Sequence, residues 1–316
     1  MKQVHLSSEM SAAELKAFKA EVAASKARKE RYRMDERHYD TLIEESAEVL
    51  TPKGKLLGVL VKRCVSAARL EAAYPYLRMV DSDFTNRGTA IGLPMSPRQR
   101  LDGSFARTQE VNPKHLEREN VGLNDYYGFW EGKAQRNNPF PHETSFTRWL
   151  KEKHPEGEEP LIRLAQAVDP LFKTHAEAQW RAQRELALRI PKYVIPGTSA
   201  TTMTINKTYT TADGVVKDVQ TSPHLDKGDY KGGLGVMICQ FRGADVTGFH
   251  LCVPRYRVAF RFRSTDLLLC NVHELHGNTN FVSSGPFERL SCVFYLRPKI
   301  VTQATGAPGI PEHPPQ

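Results

Sequence analysis

His224 and Asp226 stand one residue apart in "SPHLDKGD", and His276 follows fifty residues after Asp226 in "HELHGN". Alternate residues on an extended segment point the same way, so His224 and Asp226 can share one ion. Two imidazoles and a carboxylate are the ligand set of a non-haem iron facial triad, which leaves positions open for a co-substrate and dioxygen. His273, in "NVHEL", competes with His276 for the third place. His276 is preferred because it opens the turn "HGN" at the end of a strand-like run. Arg289 follows on the last apolar run, and a guanidinium facing inward is costly unless it meets an anion. The far carboxylate of a dicarboxylate co-substrate suits its bidentate geometry. The alternative is a surface arginine paired with Glu288 or a neighbour.

Such a constellation needs a β scaffold, and the second half of the chain supplies one. From residue 199 the sequence breaks into short runs separated by turn signals: "TTMTINKTYT", "GLGVMICQF", "FHLCVP", "YRVAFRFR", "DLLLCNV" and "RLSCVFYL". Many short strands with Gly/Pro turns predict a sandwich or jelly roll. "YRVAFRFR" alternates apolar and charged residues as a half-exposed strand does. Upstream, "KGKLLGVLVKRC" (53–64) reads as a strand and "VSAARLEAAYPYL" (65–77) as a helix. Residues 160–190 return to helix, with Leu161, Leu164, Val168 and Leu171 at helical spacing. Residues 12 to about 50 read as a polar, basic helical extension opened by the capping box Ser11–Glu14. It carries the cluster Lys26, Arg28, Lys29, Arg31 and Arg33. The stretch 81–145 reads as irregular surface, and 301–316 as a disordered Pro/Gly-rich tail. The expected organisation is therefore an extension over 1–50, one domain over 51–300 with its β core at 199–298, and the tail.

At 316 residues, 40% apolar and 25% charged, the chain has ordinary globular composition. No apolar run is long enough to span a bilayer, and the N-terminus lacks the apolar core of a signal peptide. The expectation is an intracellular protein, nuclear in a eukaryote or cytoplasmic in a bacterium or phage-infected cell. The net charge of +8 favours polyanionic partners. None of the five cysteines is spaced as C-x-x-C, so they read as small buried hydrophobes.

The order H-x-D, distal His, Arg on a β scaffold resembles the Fe(II)/2-oxoglutarate-dependent dioxygenases. "RLSCVFY" (289–295), "TINKTY" (204–209) and "HLDKGD" (224–229) are similar to the TET and J-binding-protein branch, which oxidises the 5-methyl group of pyrimidines in DNA. The resemblance spans roughly residues 199–298 and implies an α+β fold, a double-stranded β-helix (jelly-roll) core flanked by helices. It implies Fe(II) held by His224, Asp226 and His276. It implies 2-oxoglutarate bound by Arg289, with Ser291 beside it and Asn206 on the strand leading in, and dioxygen as the oxidant. Tyr295 would be an aromatic platform for the target base. Asp229 would accept from the exocyclic amine of cytosine, where thymine offers a carbonyl. Arg297 stands where some relatives place a base-contacting His. Arg87 and the other arginines of 81–145 would grip phosphates. The expected partner is DNA containing 5-methylcytosine or thymine, with no membrane and no protein partner inferable. The expected reaction is 5-methylcytosine to 5-hydroxymethylcytosine. The alternatives are thymine to 5-hydroxymethyluracil, hydroxylation of a protein or small molecule, and an inactive DNA-binding module.

Overall fold

Runs such as GVMIC (235–239) and LLLC (267–270) carry apolar residues on both faces, and the structure buries both. This computed structural model describes residues 1–28, 32–79, 124–132, 139–210, 214–217 and 222–306. Its strands in chain order are β1 (Lys2–His5), β2 (Thr41–Ile43), β3 (Ala47–Leu50), β4 (Leu56–Val61), β5 (Asn124–Trp130), β6 (His142–Glu143), β7 (Thr202–Thr210), β8 (Val216–Lys217), β9 (Gly235–Gly243), β10 (Val246–Gly248), β11 (Leu251–Val253), β12 (Val258–Phe260), β13 (Leu267–Cys270), β14 (Gly277–Asn278), β15 (Phe281–Ser283) and β16 (Phe287–Tyr295). Helices span Ala12–Ala27, Ala67–Leu77, Ser145–Lys153, Glu158–His175, Glu177–Leu188 and Pro298–Thr305. Among the described residues no helix is long and apolar enough to cross a membrane.

The architecture is mixed, with helices against large sheets. The larger sheet runs β1-β3-β4-β13-β9-β16-β7-β5-β6, with β8 beside β7. A four-stranded sheet runs β14-β11-β12-β2, and β10 pairs with β15. Side chains alternate across a strand, and the core follows that alternation. Ile205, Ile238, Leu269, Cys292 and Phe294 meet Leu161, Leu164, Val168 and Phe172 of the helical layer. The intervening Met237, Cys239, Leu268 and Cys270 meet Leu251, Val253, Val258 and Phe260 of the smaller sheet. All five cysteines are free. Burial pushes the Cys239 and Cys270 thiols up to about 12, so they behave as inert core groups.

Local signals account for several boundaries. The Ser11 hydroxyl accepts from the Glu14 amide at 3.2 Å while the Glu14 carboxylate accepts from the Ser11 amide at 2.7 Å, a complete capping box. Ser66 accepts from Arg69 N and Thr144 from Thr147 N at two other helix starts. Helix Glu158–His175 places Glu158 and Glu159 in its first turn and Lys173 and His175 in its last, which suits the helix dipole.

Four expectations are corrected. Residues 1–50 are not a helical extension: the helix ends at Ala27, β1 and β3 join the larger sheet, and β2 pairs with β12. The stretch 81–145 contains β5, which pairs with β7 from Asn124↔Asn206 to Gly128↔Thr202. Gly128 obscured this strand, yet it is required there: its φ is +103° and a Cβ would lie 2.4 Å from the Thr201 carbonyl oxygen. The tail begins as a helix that runs to Thr305. Finally, Val258–Phe260 is buried throughout rather than half-exposed. Residues 80–123, 133–138 and 307–316 lie outside the described residues, and with them Arg87, Arg98, Arg100, Arg107, Arg118 and Arg136; so do Lys29 and Arg31.

Leu164 is fully buried between helix and sheet. Leu164→Ala is expected to cost about 2–5 kcal/mol of unfolding free energy, measured as a lowered denaturant midpoint.

Candidate active site

β7, β9 and β16 are neighbours, and their inward-facing side chains line a cavity between the two sheets. Asn206 pairs in register with Ser291, and Ser291 with Cys239. Thr204, Asn206, Arg289, Ser291 and Tyr295 face the cavity from the larger sheet. Leu251 of β11, Asn278 of β14 and Phe262 close it from the other side. His224, Asp226 and His276 also line it.

The three metal-ligand candidates are brought together by backbone hydrogen bonds. His224 N donates to His276 O at 2.9 Å, His276 N donates back to His224 O at 3.0 Å, and Asp226 N donates to Val272 O at 3.1 Å. Their donor atoms lie within 4.8 Å of one another. His224 Nε2 is 3.6 Å from Asp226 Oδ1, and His276 Nε2 is 3.7 Å from Asp226 Oδ2. On the far side of each ring, Nδ1 of His224 bonds to Ser222 O at 2.8 Å and Nδ1 of His276 to Glu274 O at 2.9 Å. A carbonyl accepts only, so Nδ1 carries the proton and the lone pair lies on Nε2, facing Asp226. This is how metal-ligating histidines are oriented by the groups behind them. Glu274 is held in turn by Arg255 and by the Tyr256 hydroxyl, each at 3.1 Å. His273 lies outside this cluster, bonded to the Tyr230 backbone, and burial lowers its pKa.

Arg289 is 3% exposed. Its Nη1 donates to Ser291 Oγ at 3.1 Å, and its Nε is buried with no hydrogen-bond partner. No carboxylate among the described residues pairs with it; Glu288 pairs instead with Arg78. Burial depresses its pKa to about 10. What this guanidinium lacks is an anion, and it faces the cavity that the metal-ligand candidates share.

The remaining candidates separate. Tyr295 lines the cavity with its hydroxyl 3.0 Å from Thr204 Oγ1. Asp229 and Arg297 are not among the lining residues. Arg297 forms a bidentate pair with Glu131 at 2.5 and 2.7 Å and lies over the Trp130 ring at 3.7 Å. Burial disfavours its charge, but the Glu131 carboxylate together with Tyr295 and Asp229 outweighs that and raises its pKa. Asp229 is buried nearby and adds to the negative field at Arg297. Thr204 and Asn278 are cavity residues that sequence reasoning missed. The spacing of Asn278 two residues beyond His276, the same alternation that links His224 to Asp226, was the available signal.

Residues 126–298, more than half of the chain, match Tet_JBP, the oxygenase domain of the 2OGFeDO superfamily. The chain belongs to the TET/JBP family. The bifunctional helicase and thymine dioxygenase JBP2 of Trypanosoma brucei brucei (strain 927/4 GUTat10.1) is 28% identical over 259 residues, covering 81% of this chain and 21% of that protein. Thymine dioxygenase JBP1 of Trypanosoma brucei brucei is 28% identical over 250 residues, 78% of this chain and 24% of its own. JBP2 of Leishmania infantum is 33% identical over 141 residues, 44% of this chain and 11% of its own. The chain thus spans a quarter or less of the length of these curated relatives. A solved structure, NgTET1 in complex with 5mC DNA, aligns over 91% of this chain and 92% of its own at 11% identity with a TM-score of 0.49.

The TET/JBP oxygenase domain implies Fe(II), 2-oxoglutarate and dioxygen. The residues present fit that set. Two imidazoles and one carboxylate converge with the histidine lone pairs inward, and a buried cation with an unmet N–H faces the same cavity.

Two outcomes are expected. The depressed Arg289 pKa means the folded chain disfavours its charge; the penalty is full below about 10 and lifts only as the pH rises through that value. Arg289→Met should therefore stabilise the ligand-free fold by about 1–3 kcal/mol in denaturant unfolding while abolishing 2-oxoglutarate binding. Separately, a Cβ on Gly235 would lie 2.4 Å from Val272 Cγ1, and the Val272 carbonyl anchors Asp226. Gly235→Ala should weaken metal binding about tenfold, read by Mn²⁺ titration calorimetry.

Proposed function

We propose that this chain hydroxylates the 5-methyl group of a pyrimidine in DNA, and that its two-sheet core is a double-stranded β-helix. The observation that carries the reading is the shared cavity: a two-histidine, one-carboxylate cluster on one wall and an anion-deficient buried guanidinium on another. In this reading His224, Asp226 and His276 hold Fe(II), which with 2-oxoglutarate and dioxygen supplies the oxidation, leaving succinate and carbon dioxide. Arg289 binds the far carboxylate of 2-oxoglutarate, Ser291 steadies it, and Asn206 flanks the same site. Met237, Leu251, Phe262, Val272 and Val293 give the cavity apolar walls that exclude water. Tyr295 offers a ring face beside the target.

A methyl carbon stacked inside a duplex cannot enter such a cavity, so the base must leave the stack, at a cost of a few kcal/mol. The net charge of +8 supports a polyanionic substrate. Thymine and 5-methylcytosine both carry the methyl group. The relatives named as thymine dioxygenases support thymine. Asp229, the residue suited to accept from the exocyclic amine of cytosine, does not line the cavity.

The test is product identity. Duplexes with and without 5-methylcytosine, incubated with protein, Fe(II) and 2-oxoglutarate, are digested and analysed by mass spectrometry. 5-Hydroxymethyluracil assigns thymine, and 5-hydroxymethylcytosine assigns 5-methylcytosine. Succinate formation indifferent to DNA, with neither base product, would overturn the reading and point to a protein or small-molecule substrate.

A further inference from the structure

Arg289 has a second set of neighbours besides Ser291. Its guanidinium carbon lies 4.3 Å from the centroid of the Phe249 ring, 5.6 Å from Phe241 and 5.7 Å from Phe262. Rings placed over a guanidinium attract its charge, and more strongly once water is excluded. The N–H donors of a guanidinium lie in its plane, so a ring against its face leaves them free for an anion.

Phe249 makes the nearest of these contacts, and its backbone is unusual. Its φ is +56°, a left-handed conformation that residues with side chains seldom adopt. Local strain of this kind persists where the surroundings over-determine it, and it clusters at functional sites. Here the surroundings are explicit. Phe249 N donates to Asn280 O at 3.1 Å, and the next residue is held by His250 N donating to Thr279 Oγ1 at 2.9 Å. The Phe249 ring is fully buried and stacks on Phe281 at 4.8 Å. Arg263 fastens the segment before it. One guanidinium nitrogen donates to Val246 O at 3.3 Å and Gly248 O at 3.0 Å, and the other to Phe262 O at 3.1 Å. Arg263 therefore ties together the backbone beside two of the three rings around Arg289.

We propose that Phe249 is a positioning residue for Arg289: its ring, delivered by a left-handed backbone that Arg263 clamps, keeps the guanidinium's faces covered and its donor edge turned to the co-substrate's far carboxylate. The inference rests on the reading that Arg289 binds that carboxylate. With one side-chain hydrogen bond and an unmet Nε, Arg289 is under-determined by polar contacts alone. The aromatic contacts supply the missing constraint.

The test titrates 2-oxoglutarate into Mn²⁺-loaded protein without DNA, and in parallel titrates Mn²⁺ into the metal-free protein. Phe249→Leu keeps an apolar side chain but loses the π face, and should weaken 2-oxoglutarate binding about tenfold with Mn²⁺ affinity unchanged. Phe249→Tyr, which keeps the face, should restore most of that loss. Unaltered 2-oxoglutarate binding by Phe249→Leu beside no binding by Arg289→Met overturns the proposal and leaves the Arg289 reading standing. Wild-type binding by Arg289→Met overturns that reading instead. Equal losses of Mn²⁺ and 2-oxoglutarate affinity mark a merely structural role and also overturn the proposal. Should Phe249→Leu fail to fold, Arg263→Lys keeps the charge but loses the forked clamp, and the same weakening without metal loss is expected; wild-type binding by it sinks the idea.

Discussion

A guanidinium enclosed between two sheets with no carboxylate partner among the described residues is a costly arrangement by itself, and the core around Arg289 has to tolerate it. Arg289 gains one hydroxyl hydrogen bond and three aromatic contacts, and it remains depressed in pKa by burial. None of these neutralises the charge. A buried cation left in that state destabilises the fold, so the surrounding core must supply the difference. It does so on both faces of the larger sheet, where the helical layer and the smaller sheet each bury a continuous set of aliphatic and aromatic side chains. On the proposed reading, the deficit at Arg289 is what makes the cavity selective for an anion.

The metal-ligand candidates are set at the ends of both sheets, His276 just before β14 and the Val272 anchor of Asp226 just after β13. His224 and Asp226 belong to a segment without regular strand structure of its own, yet it is not loosely held. The reciprocal hydrogen bonds between His224 and His276 form an isolated antiparallel bridge, and Asp226 is tied to Val272. The imidazole hydrogen bonds to the Ser222 and Glu274 carbonyls then fix ring orientation. Arg255 links Glu274 to Glu9, so a residue near the N-terminus braces the backbone behind His276. Residues 1–50 thus take part in the structure of the site rather than standing outside it.

This explains what was legible in the sequence and what was not. His224 and Asp226 were legible through spacing, because a period of two on an extended chain translates directly into a shared face; His276 and Arg289 stood out by their places on the later apolar runs, and Ser291 and Tyr295 came from the family resemblance, with which their even spacing from Arg289 agrees. Helix over 65–77 and over 160–190 was legible, the latter from its apolar periodicity, but the break at Ala176 that divides the second stretch into two helices was not. β2 and β3 were not: "TLI" and "AEVL" are short, lie among charged residues, and become strands only because β12 and β4 pair with them. β5 was hidden by a glycine whose role is a close approach to Thr201. Arg297 was misjudged for a related reason. Its partner Glu131 lies 166 positions away, and no local pattern links the two. The positive φ of Phe249 leaves no mark in composition at all.

One strand, β16, carries the logic of the cavity along its length. Arg289, Ser291, Val293 and Tyr295 share its inward face, and at about 3.3 Å per residue the first and last are about 20 Å apart. Arg297 lies just past the strand's end, but Glu131 already neutralises it. The uncompensated positive charge is therefore concentrated at the Arg289 end, while the Tyr295 end presents hydroxyl groups and an aromatic ring. On the proposed reading, a diacid is drawn toward the first end by a field the second does not match. A neutral planar group meets the opposite preference, because it gains nothing from the buried cation and can lie on the tyrosine ring. On the proposed reading, co-substrate and base are sorted within one cavity by where the chain leaves its charge unpaired.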